Sequence, residues 1–249
     1  MKKLFLASVF ALLSLCTNVY GFKVDGICYS ITDDNTVEVV SNVNGEYAGD
    51  IVIPNKVMYK SKAYSVTSIR ASAFEDCSSL TSIDIPASVT SIGSHAFKNC
   101  SSLTSINIPA GVTSIGYMAF FRCSSLTSIN IPAGVTSIGG SAFYCCASLA
   151  NIYCYGSTPA EPDNHYLIFS EDTYSGCTLH VPYGTIDIYK TADGWKFFAN
   201  IVEFDPTGVE AVSADRKPAT ERRIYNLGGV RMAAPQRGLN IINGKKVMY

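Results

Sequence analysis

The chain has 249 residues, a net charge of −1 and 47% hydrophobic residues, while only 16% of its residues are charged. A nearly neutral chain creates no net field that attracts polyanions, so nucleic acid is not an expected partner. The hydrophobic fraction is sufficient for a packed core, and the charged fraction lies below the usual quarter.

The N-terminus has the layout of a secretory signal peptide. Two lysines precede an apolar run over residues 4–15, and small residues follow it. We therefore assign residues 1–21 to a signal peptide and place the mature start at Phe22. The alternative is acylation at Cys16, which alone would attach the protein to a membrane, since no other segment is long and apolar enough to cross a bilayer.

Residues 22–65 are predicted to form an N-terminal cap and an atypical first coil. Apolar and polar residues alternate over residues 22–40 around an acidic turn, which predicts a β-hairpin. The Ile-Pro and Val-Thr-Ser-Ile sequences that follow recur downstream, but here a longer link, residues 55–64, separates them.

Residues 66–155 contain internal repeats of 23 residues. Phe, Cys and Leu positions recur in register at Phe74, Phe97, Phe120 and Phe143, at Cys77, Cys100, Cys123 and Cys146, and at Leu80, Leu103, Leu126 and Leu149. The Leu-x-x-Ile-x-Ile stretch that begins at Leu103 is a leucine-rich-repeat strand. One such unit cannot bury its own apolar face, so stacked units share a core, with parallel strands about 4.8 Å apart and a Phe ring at each coil centre. The parallel ladder is expected to run through Ile83, Ile106 and Ile129.

Small polar residues explain the low charge. The outward strand positions form rows of hydroxyl side chains, Thr81, Thr104 and Thr127 beside Ser82, Ser105 and Ser128. Such rows are either a regular array that binds a ligand or a solvated β-surface. A glycine follows a second short apolar stretch in three copies, at Gly93, Gly116 and Gly139, and we expect a turn with positive φ there.

The cysteine row has two readings. Disulfides are common in exported chains, and stacked coils bring equivalent Cα atoms within bridging range. Side chains in identical surroundings should nevertheless run parallel, and a buried cysteine behaves as a small hydrophobe. We expect free thiols at Cys77, Cys100 and Cys123 and leave open the states of Cys145, Cys146, Cys154 and Cys177.

Residues 156–205 are predicted to form a C-terminal cap. A loop rich in Gly and Pro opens it, residues 178–182 predict a last strand, and a short helix begins at Thr185 and ends near Gly194-Trp195. A cap is needed because a bare end would expose apolar core and an unpaired strand edge.

Residues 206–249 form a linker and a basic tail. From Asp215 onward the tail holds eight Lys or Arg residues and two acidic residues. Residues 223–231 and 238–249 alternate as two strands would.

The repeat unit resembles the BspA-type leucine-rich repeats of surface proteins from anaerobic Gram-negative bacteria. Residues 24–29 and 49–54 resemble the entry cap of that family, and residues 179–182 with 189–195 resemble its exit cap. The resemblance implies a mainly β, leucine-rich-repeat solenoid with a β-hairpin N-cap and a C-terminal cap. It also implies a protein that is secreted or on the outer surface of a Gram-negative bacterium, with a role in adhesion. The tail resembles a type IX secretion sorting module; a small β-hairpin appendage is the alternative.

The chemistry of an active site is not indicated. The three histidines, His95, His165 and His180, do not share metal-ligand spacing, and neither a phosphate-binding loop nor a nucleophile elbow occurs. We predict neither enzymatic activity nor a cofactor nor a metal site.

The two-residue positions on either side of each repeated Phe vary among the copies. Early copies hold residues such as Glu75 and Lys98, whereas later copies hold Tyr117, Phe121, Arg122 and Tyr144. Tyr and Arg are enriched at interface hot spots, so these four residues are the predicted surface for an extracellular protein or glycan. The alternative for Phe121 is a ring packed under the next coil. The predicted function is adhesin-like binding, and the alternative is a structural envelope protein without a specific ligand.

Overall fold

A computed structural model describes residues 21–42, 47–163 and 167–207, and beyond them the backbone of short strands in the tail. The chain is mainly β and forms a solenoid of about six turns. The predicted signal peptide apart from Gly21 lies outside the described residues, as do Cys16 and His165. In the part of the chain that the structure describes, no helix has the length and apolar character needed to span a bilayer.

The N-terminal cap and first coil contain six strands. They are β1 (Gly21–Val24), β2 (Ile27–Asp33), β3 (Thr36–Val40), β4 (Gly49–Val52), β5 (Lys56–Tyr59) and β6 (Lys62–Ile69). Strands β1, β2 and β3 pair antiparallel, so the predicted hairpin has a third strand. The long link folds as a second hairpin between β5 and β6. Parallel pairing of β3 with β6 then joins the cap to the repeats.

The repeats form two parallel ladders. Their strands are β7 (Leu80–Asp84), β8 (Ser91–Ile92), β9 (Ser105–Ile106), β10 (Ser114–Ile115), β11 (Ser128–Ile131), β12 (Ser137–Ile138) and β13 (Asn151–Cys154). Odd-numbered strands form the first ladder and even-numbered strands the second. Ile83 pairs with Ile106 in the first ladder as predicted. Between β9 and β11 the pairing narrows to one parallel bridge, Asn107 to Asn130.

The C-terminal cap extends both ladders. Its elements are β14 (Glu161–Pro162), α1 (Glu171–Gly176), β15 (Thr178–Pro182), α2 (Ile186–Thr191) and β16 (Asn200–Phe204). Strand β14 pairs with β12, so part of the predicted loop continues the second ladder, while β15 and β16 continue the first. Helix α2 ends at Thr191, earlier than predicted, because Ala192 is already extended. Trp195 is buried beyond it and donates its Nε1–H to Ala160 O at 2.8 Å.

A row of phenyl rings fills the centre of the solenoid. The four repeated rings, Phe74, Phe97, Phe120 and Phe143, are fully buried and stack with centroids 5.1, 5.2 and 5.1 Å apart. Phe169, which the repeat did not reveal, continues the row 5.5 Å from Phe143. Tyr47 covers the other end, 4.7 Å from Phe74. The predicted central position of the repeated Phe is therefore confirmed.

The repeated glycines are required by close packing between coils. A Cβ on any of them would strike backbone of the preceding coil. The glycines are Gly93, Gly116 and Gly139, and the backbone struck belongs to Ala71, Ser94 and Tyr117, respectively. The prediction of positive φ at these glycines is wrong, because the left-handed residue of the turn comes two positions later. In the repeats positive φ occurs at this position in Ser72, His95, Met118 and Ser141, and four residues later in Asp76, Asn99, Arg122 and Cys145.

The tail forms a sheet of five short strands. They are β17 (Glu210–Ala211), β18 (Ile224–Tyr225), β19 (Arg231–Met232), β20 (Leu239–Ile242) and β21 (Lys245–Met248), in the order β17-β21-β20-β18-β19. The prediction of two strands is therefore wrong. The segments predicted as single strands contain β18 with the start of β19, and β20 with β21, respectively.

We predict that Phe120→Ala lowers the free energy of unfolding by about 3–5 kcal/mol, because the ring is fully buried between two others and its removal leaves a cavity. Urea unfolding measures the loss. Phe121→Ala is the matched control, since that neighbouring ring is only half-buried. Equal losses of unfolding free energy in the two variants would show that the axial ring contributes no more to stability than a surface ring does.

We predict that Gly116→Ala lowers the free energy of unfolding by about 1–3 kcal/mol, since the new Cβ must push back the Ser94 backbone. Gly176→Ala is the control, because a Cβ there meets nothing within 4 Å. It should change stability by less than about 0.5 kcal/mol. The comparison is made by thermal and urea unfolding, and a neutral Gly116→Ala would contradict the packing argument.

Candidate functional site

The residues directly after the core phenylalanines form a row on the surface, and two pairs of equivalents in adjacent coils contact each other. In the early copies Lys98 Nζ donates to Glu75 Oε1 at 2.8 Å. That hydrogen bond is the main reason that the pKa of Glu75 lies below its usual value. In the later copies the Phe121 ring stacks on Tyr144, with centroids 6.1 Å apart and planes 8° from parallel. The row therefore changes from ionic to aromatic along the solenoid.

The next residue of each copy forms a parallel row in the left-handed backbone conformation. Asn99 Nδ2 donates to Asp76 Oδ1 in the early copies. In the third copy the position holds Arg122, with φ of 60°, and its guanidinium carbon lies 5.3 Å from the centroid of the Phe121 ring. Asn and Asp tolerate this conformation better than other side chains do. Local backbone geometry therefore does not favour arginine here.

The structure brings together three of the four predicted site residues. Phe121 and Tyr144 are half-buried and Arg122 is exposed, and we refer to these three residues as the Phe121 surface. Tyr117 is also half-buried, but its ring makes an edge contact with His95 at 5.5 Å. The alternative interpretation is that the Phe121 ring packs under the next coil. The ring does contact the next coil through Tyr144, but it remains partly exposed.

A second surface, which the sequence analysis did not identify, lies on the outward face of the first ladder. Tyr153 and His180 occupy paired positions on β13 and β15, and their rings stack with centroids 4.1 Å apart. Phe204 meets Tyr153 edge-on at 5.7 Å and Tyr155 at 5.3 Å. All four rings are half-buried. The available signal was that Tyr153 and Tyr155 stand where the preceding copy has Asn and Pro.

A shallow groove of about 380 Å³ lies on the same face and extends as far as β11, the strand next to β13. The polar side chains that line it include Asp50, Ser82, Asp84, Ser105, Asn107 and Asn130. Asn130 lines the groove and pairs across the ladder with Tyr153, so the Tyr153 ring stands on the next strand beyond the groove lining. At the other end, Asp50 accepts hydrogen bonds from Ser82 and Thr81, which lower the pKa of its carboxyl group.

The two predicted hydroxyl rows have different surroundings. Thr104 Oγ1 lies 3.4 Å from Thr81 O, and Thr127 Oγ1 lies 3.5 Å from Thr104 O, so the threonine row contacts the backbone of the preceding coil. Members of the serine row line the groove. The serine positions are therefore the ones placed beside a concave surface.

The cysteine row forms hydrogen bonds between coils. Cys100 Sγ donates to Phe74 O at 3.1 Å, and Cys123 Sγ donates to Phe97 O at 3.2 Å. Burial raises the pKa of Cys146 to about 12 and raises those of Cys100 and Cys123 well above their usual value. These protonated thiols act as structural donors, and each cysteine among the described residues is a free thiol.

The histidines of the described residues have aromatic or amide partners. His180 Nε2 lies 2.9 Å from Asn151 Oδ1, and burial lowers the pKa of the His180 ring, which favours its neutral form at pH 7. Within the described ranges, no group of three or more His, Cys, Asp or Glu side chains is placed to hold a metal ion.

The ladders, the stacked rings and the repeated coil define a leucine-rich-repeat solenoid. Residues 59–166 match the family described as BspA type Leucine rich repeat region, in six copies. The repeat region of this chain is therefore of the BspA leucine-rich-repeat type. No curated protein matches the sequence.

Several crystal structures are similar to this chain. A leucine-rich repeat protein from Bacteroides capillosus is 30% identical, with 55% of this chain and 99% of that chain covered and a TM-score of 0.47. The leucine-rich repeat protein of T. pallidum is 24% identical over 72% of this chain and 78% of that chain, with a TM-score of 0.52. A leucine-rich repeat protein from Bacteroides ovatus is 28% identical over 75% and 54%, with a TM-score of 0.46. The T. pallidum likeness supports the solenoid fold.

We predict that the stability of the solenoid falls as pH rises above about 8.5. The unfolded chain then loses thiol protons that the folded chain retains, so each buried thiol removes about 1.4 kcal/mol per pH unit. The stabilising contribution of each buried thiol is fully present below about pH 8.5. It decreases as pH rises towards the pKa of that thiol in the folded chain. Urea unfolding between about pH 8 and 10 measures the slope.

The matched variants are Cys123→Ser and Cys123→Ala. Both should make the slope shallower by about 1.4 kcal/mol per pH unit, because neither side chain titrates in this range. Only the serine retains a donor for Phe97 O, so the serine variant should be the more stable of the two at pH 7. A slope equal to that of the wild type would contradict the assignment of a buried, protonated thiol.

Proposed function

We propose that this protein is exported and acts as an adhesin-like binding protein, secreted or on the outer surface of a Gram-negative bacterium. On this proposal the Phe121 surface, with Tyr117 nearby along the chain, binds an extracellular host protein. The observation that carries the proposal is the change in the two surface rows. Their early copies hold ion-paired and amide side chains, and their later copies hold stacked aromatic rings with an arginine.

Physical considerations favour ligand binding over neutral sequence change as the reason for the residues at these positions. Partly exposed aromatic rings reduce solubility, and Arg122 has a left-handed backbone conformation that is unfavourable for arginine. Stacking on Tyr144 holds the Phe121 ring in place, so little side-chain entropy remains to be lost when a partner binds. A rigid aromatic pair beside an exposed guanidinium has the composition of a protein-interface hot spot.

The proposed export has separate support. Residues 1–21 have the order of a secretory signal peptide, and the repeat family matched by residues 59–166 is one that the sequence resemblance associates with surface proteins. Acylation at Cys16 and sorting through the basic tail are two proposed routes to retention at the surface. Cell fractionation of a strain that produces the chain, with and without Cys16→Ala, separates these routes.

We predict that Tyr117→Ser, Phe121→Ser and Tyr144→Ser together reduce binding to a host protein ligand at least tenfold. Each ring offers contact area of the hot-spot kind, and a tenfold loss corresponds to about 1.4 kcal/mol in total. The measurement is binding of the chain from Phe22 to a panel of matrix proteins by surface plasmon resonance, alongside urea unfolding.

The matched control changes the same rows in the preceding coils, with Glu75→Ser, Lys98→Ser and Asn99→Ser. It should bind as the wild type does. Undiminished binding by the aromatic variant would show that the proposed surface is wrong, and an unfolded aromatic variant would show that these rings belong to the core. Failure of the wild type to bind any panel member would favour a structural envelope protein.

A further inference from the structure

We propose that the groove on the first ladder, together with the Tyr153 ring on the adjacent strand, binds a neutral glycan. The assignment rests on the proposed binding function but uses a different surface and a different class of ligand from the Phe121 surface. It follows from three features of this face: an aromatic wall on the strand beside the groove, a floor of amides and hydroxyls, and the sign of the local charge.

Tyr153 forms the wall. The His180 ring stacks on Tyr153 at a centroid distance of 4.1 Å, and on the opposite side of β13 the residue paired with Tyr153 is Asn130 of β11. An amide is much smaller than a phenol ring, so the Tyr153 ring rises above the groove floor. A pyranose ring has a face of C–H bonds, which packs on the exposed face of an aromatic ring as other apolar groups do.

The floor provides donors and acceptors at regular intervals. Asn107 and Asn130 are bridged neighbours on adjacent coils, and the hydroxyls of Ser105 and Ser128 form a second row beside them. Each amide carries two donor hydrogens and an acceptor oxygen, and each hydroxyl both donates and accepts. Strands about 4.8 Å apart repeat this set along the groove. Adjacent hydroxyls of a sugar, which also donate and accept, are matched by such a set.

The charges select a neutral chain. Among the described residues that line the groove there is no Lys or Arg, whereas Asp50 and Asp84 lie at the end distant from Tyr153. Two carboxylates repel sulfated or sialylated glycans but accept hydrogen bonds from neutral sugar hydroxyls. His180 adds no positive charge at pH 7, because burial favours its neutral form.

The wall is held rigidly before any ligand binds. Phe204 packs edge-on against both Tyr153 and Tyr155, and Asn151 Oδ1 lies within hydrogen-bond distance of His180 Nε2. Pre-organised rings lose little side-chain entropy on binding, so a shallow groove gains affinity from them.

The test measures binding of the full chain to a mannan, a β-glucan and a xylan as neutral probes, with heparin as the sulfated probe. Affinity electrophoresis and titration calorimetry provide the readouts. We expect at least one neutral polysaccharide to bind and heparin to bind at least tenfold more weakly. Tyr153→Ala should reduce neutral-glycan affinity at least tenfold, and Tyr144→Ala, which alters the Phe121 surface, should leave it within twofold.

Asn130→Ala is the second variant, because its exposed side chain can be removed without disturbing the rings. It should also reduce affinity severalfold, and it decides the outcome if Tyr153→Ala does not fold. Absence of neutral-glycan binding, stronger binding of heparin, or loss of binding in Tyr144→Ala alone would overturn the assignment. Binding of a protein ligand is measured separately, and its retention in Tyr153→Ala distinguishes failure here from failure of the proposed function.

Discussion

The stacking of one coil on the next at the spacing of a parallel strand is the constraint on which the other features depend. Backbone groups bond between coils in the ladders and also in the turns, as where Phe97 N donates to Ala119 O at 2.7 Å. The axial phenyl rings repeat at 5.1–5.2 Å, close to a strand spacing. Two further residues keep the coils at this spacing. Gly116 lets the backbones of adjacent coils approach closely, and the thiol of Cys123 donates a hydrogen bond to the preceding coil.

This constraint turns each surface position into a row whose members are near neighbours. In the early copies the polar side chains of a row bond to one another, as Lys98 does to Glu75. Few of their charges and hydrogen-bonding groups then remain for a binding partner. A change of residue type within a row is therefore informative, because the new side chain must be accommodated by its neighbours above and below. Such changes occur at Phe121 and Tyr153. The Phe121 ring stacks on Tyr144 of the next coil, and the Tyr153 ring stacks on His180.

The sequence predicts the core well, because core residues keep the period of 23 residues, as Phe74 and Phe97 do. It predicts less where the period is lost. Phe169 follows Phe143 by 26 residues and His180 follows Tyr153 by 27, yet both pairs stack, because the extra residues are accommodated in the cap. The role of Gly93 was misassigned because a glycine in a turn indicates either positive φ or close approach, and sequence alone does not separate the two.

The two candidate surfaces lie in different parts of the coil. The groove belongs to the first ladder, whereas the Phe121 surface lies in the turns that follow the second ladder, and the fully buried ring of Phe120 belongs to the core. A residue such as Asn130 or Arg122 is exposed, so it can change without altering that core. Each surface can therefore acquire its own ligand preference while the stacking is kept. A solenoid of this size can thus present two chemically different faces, one aromatic and cationic and the other rich in amides and hydroxyls.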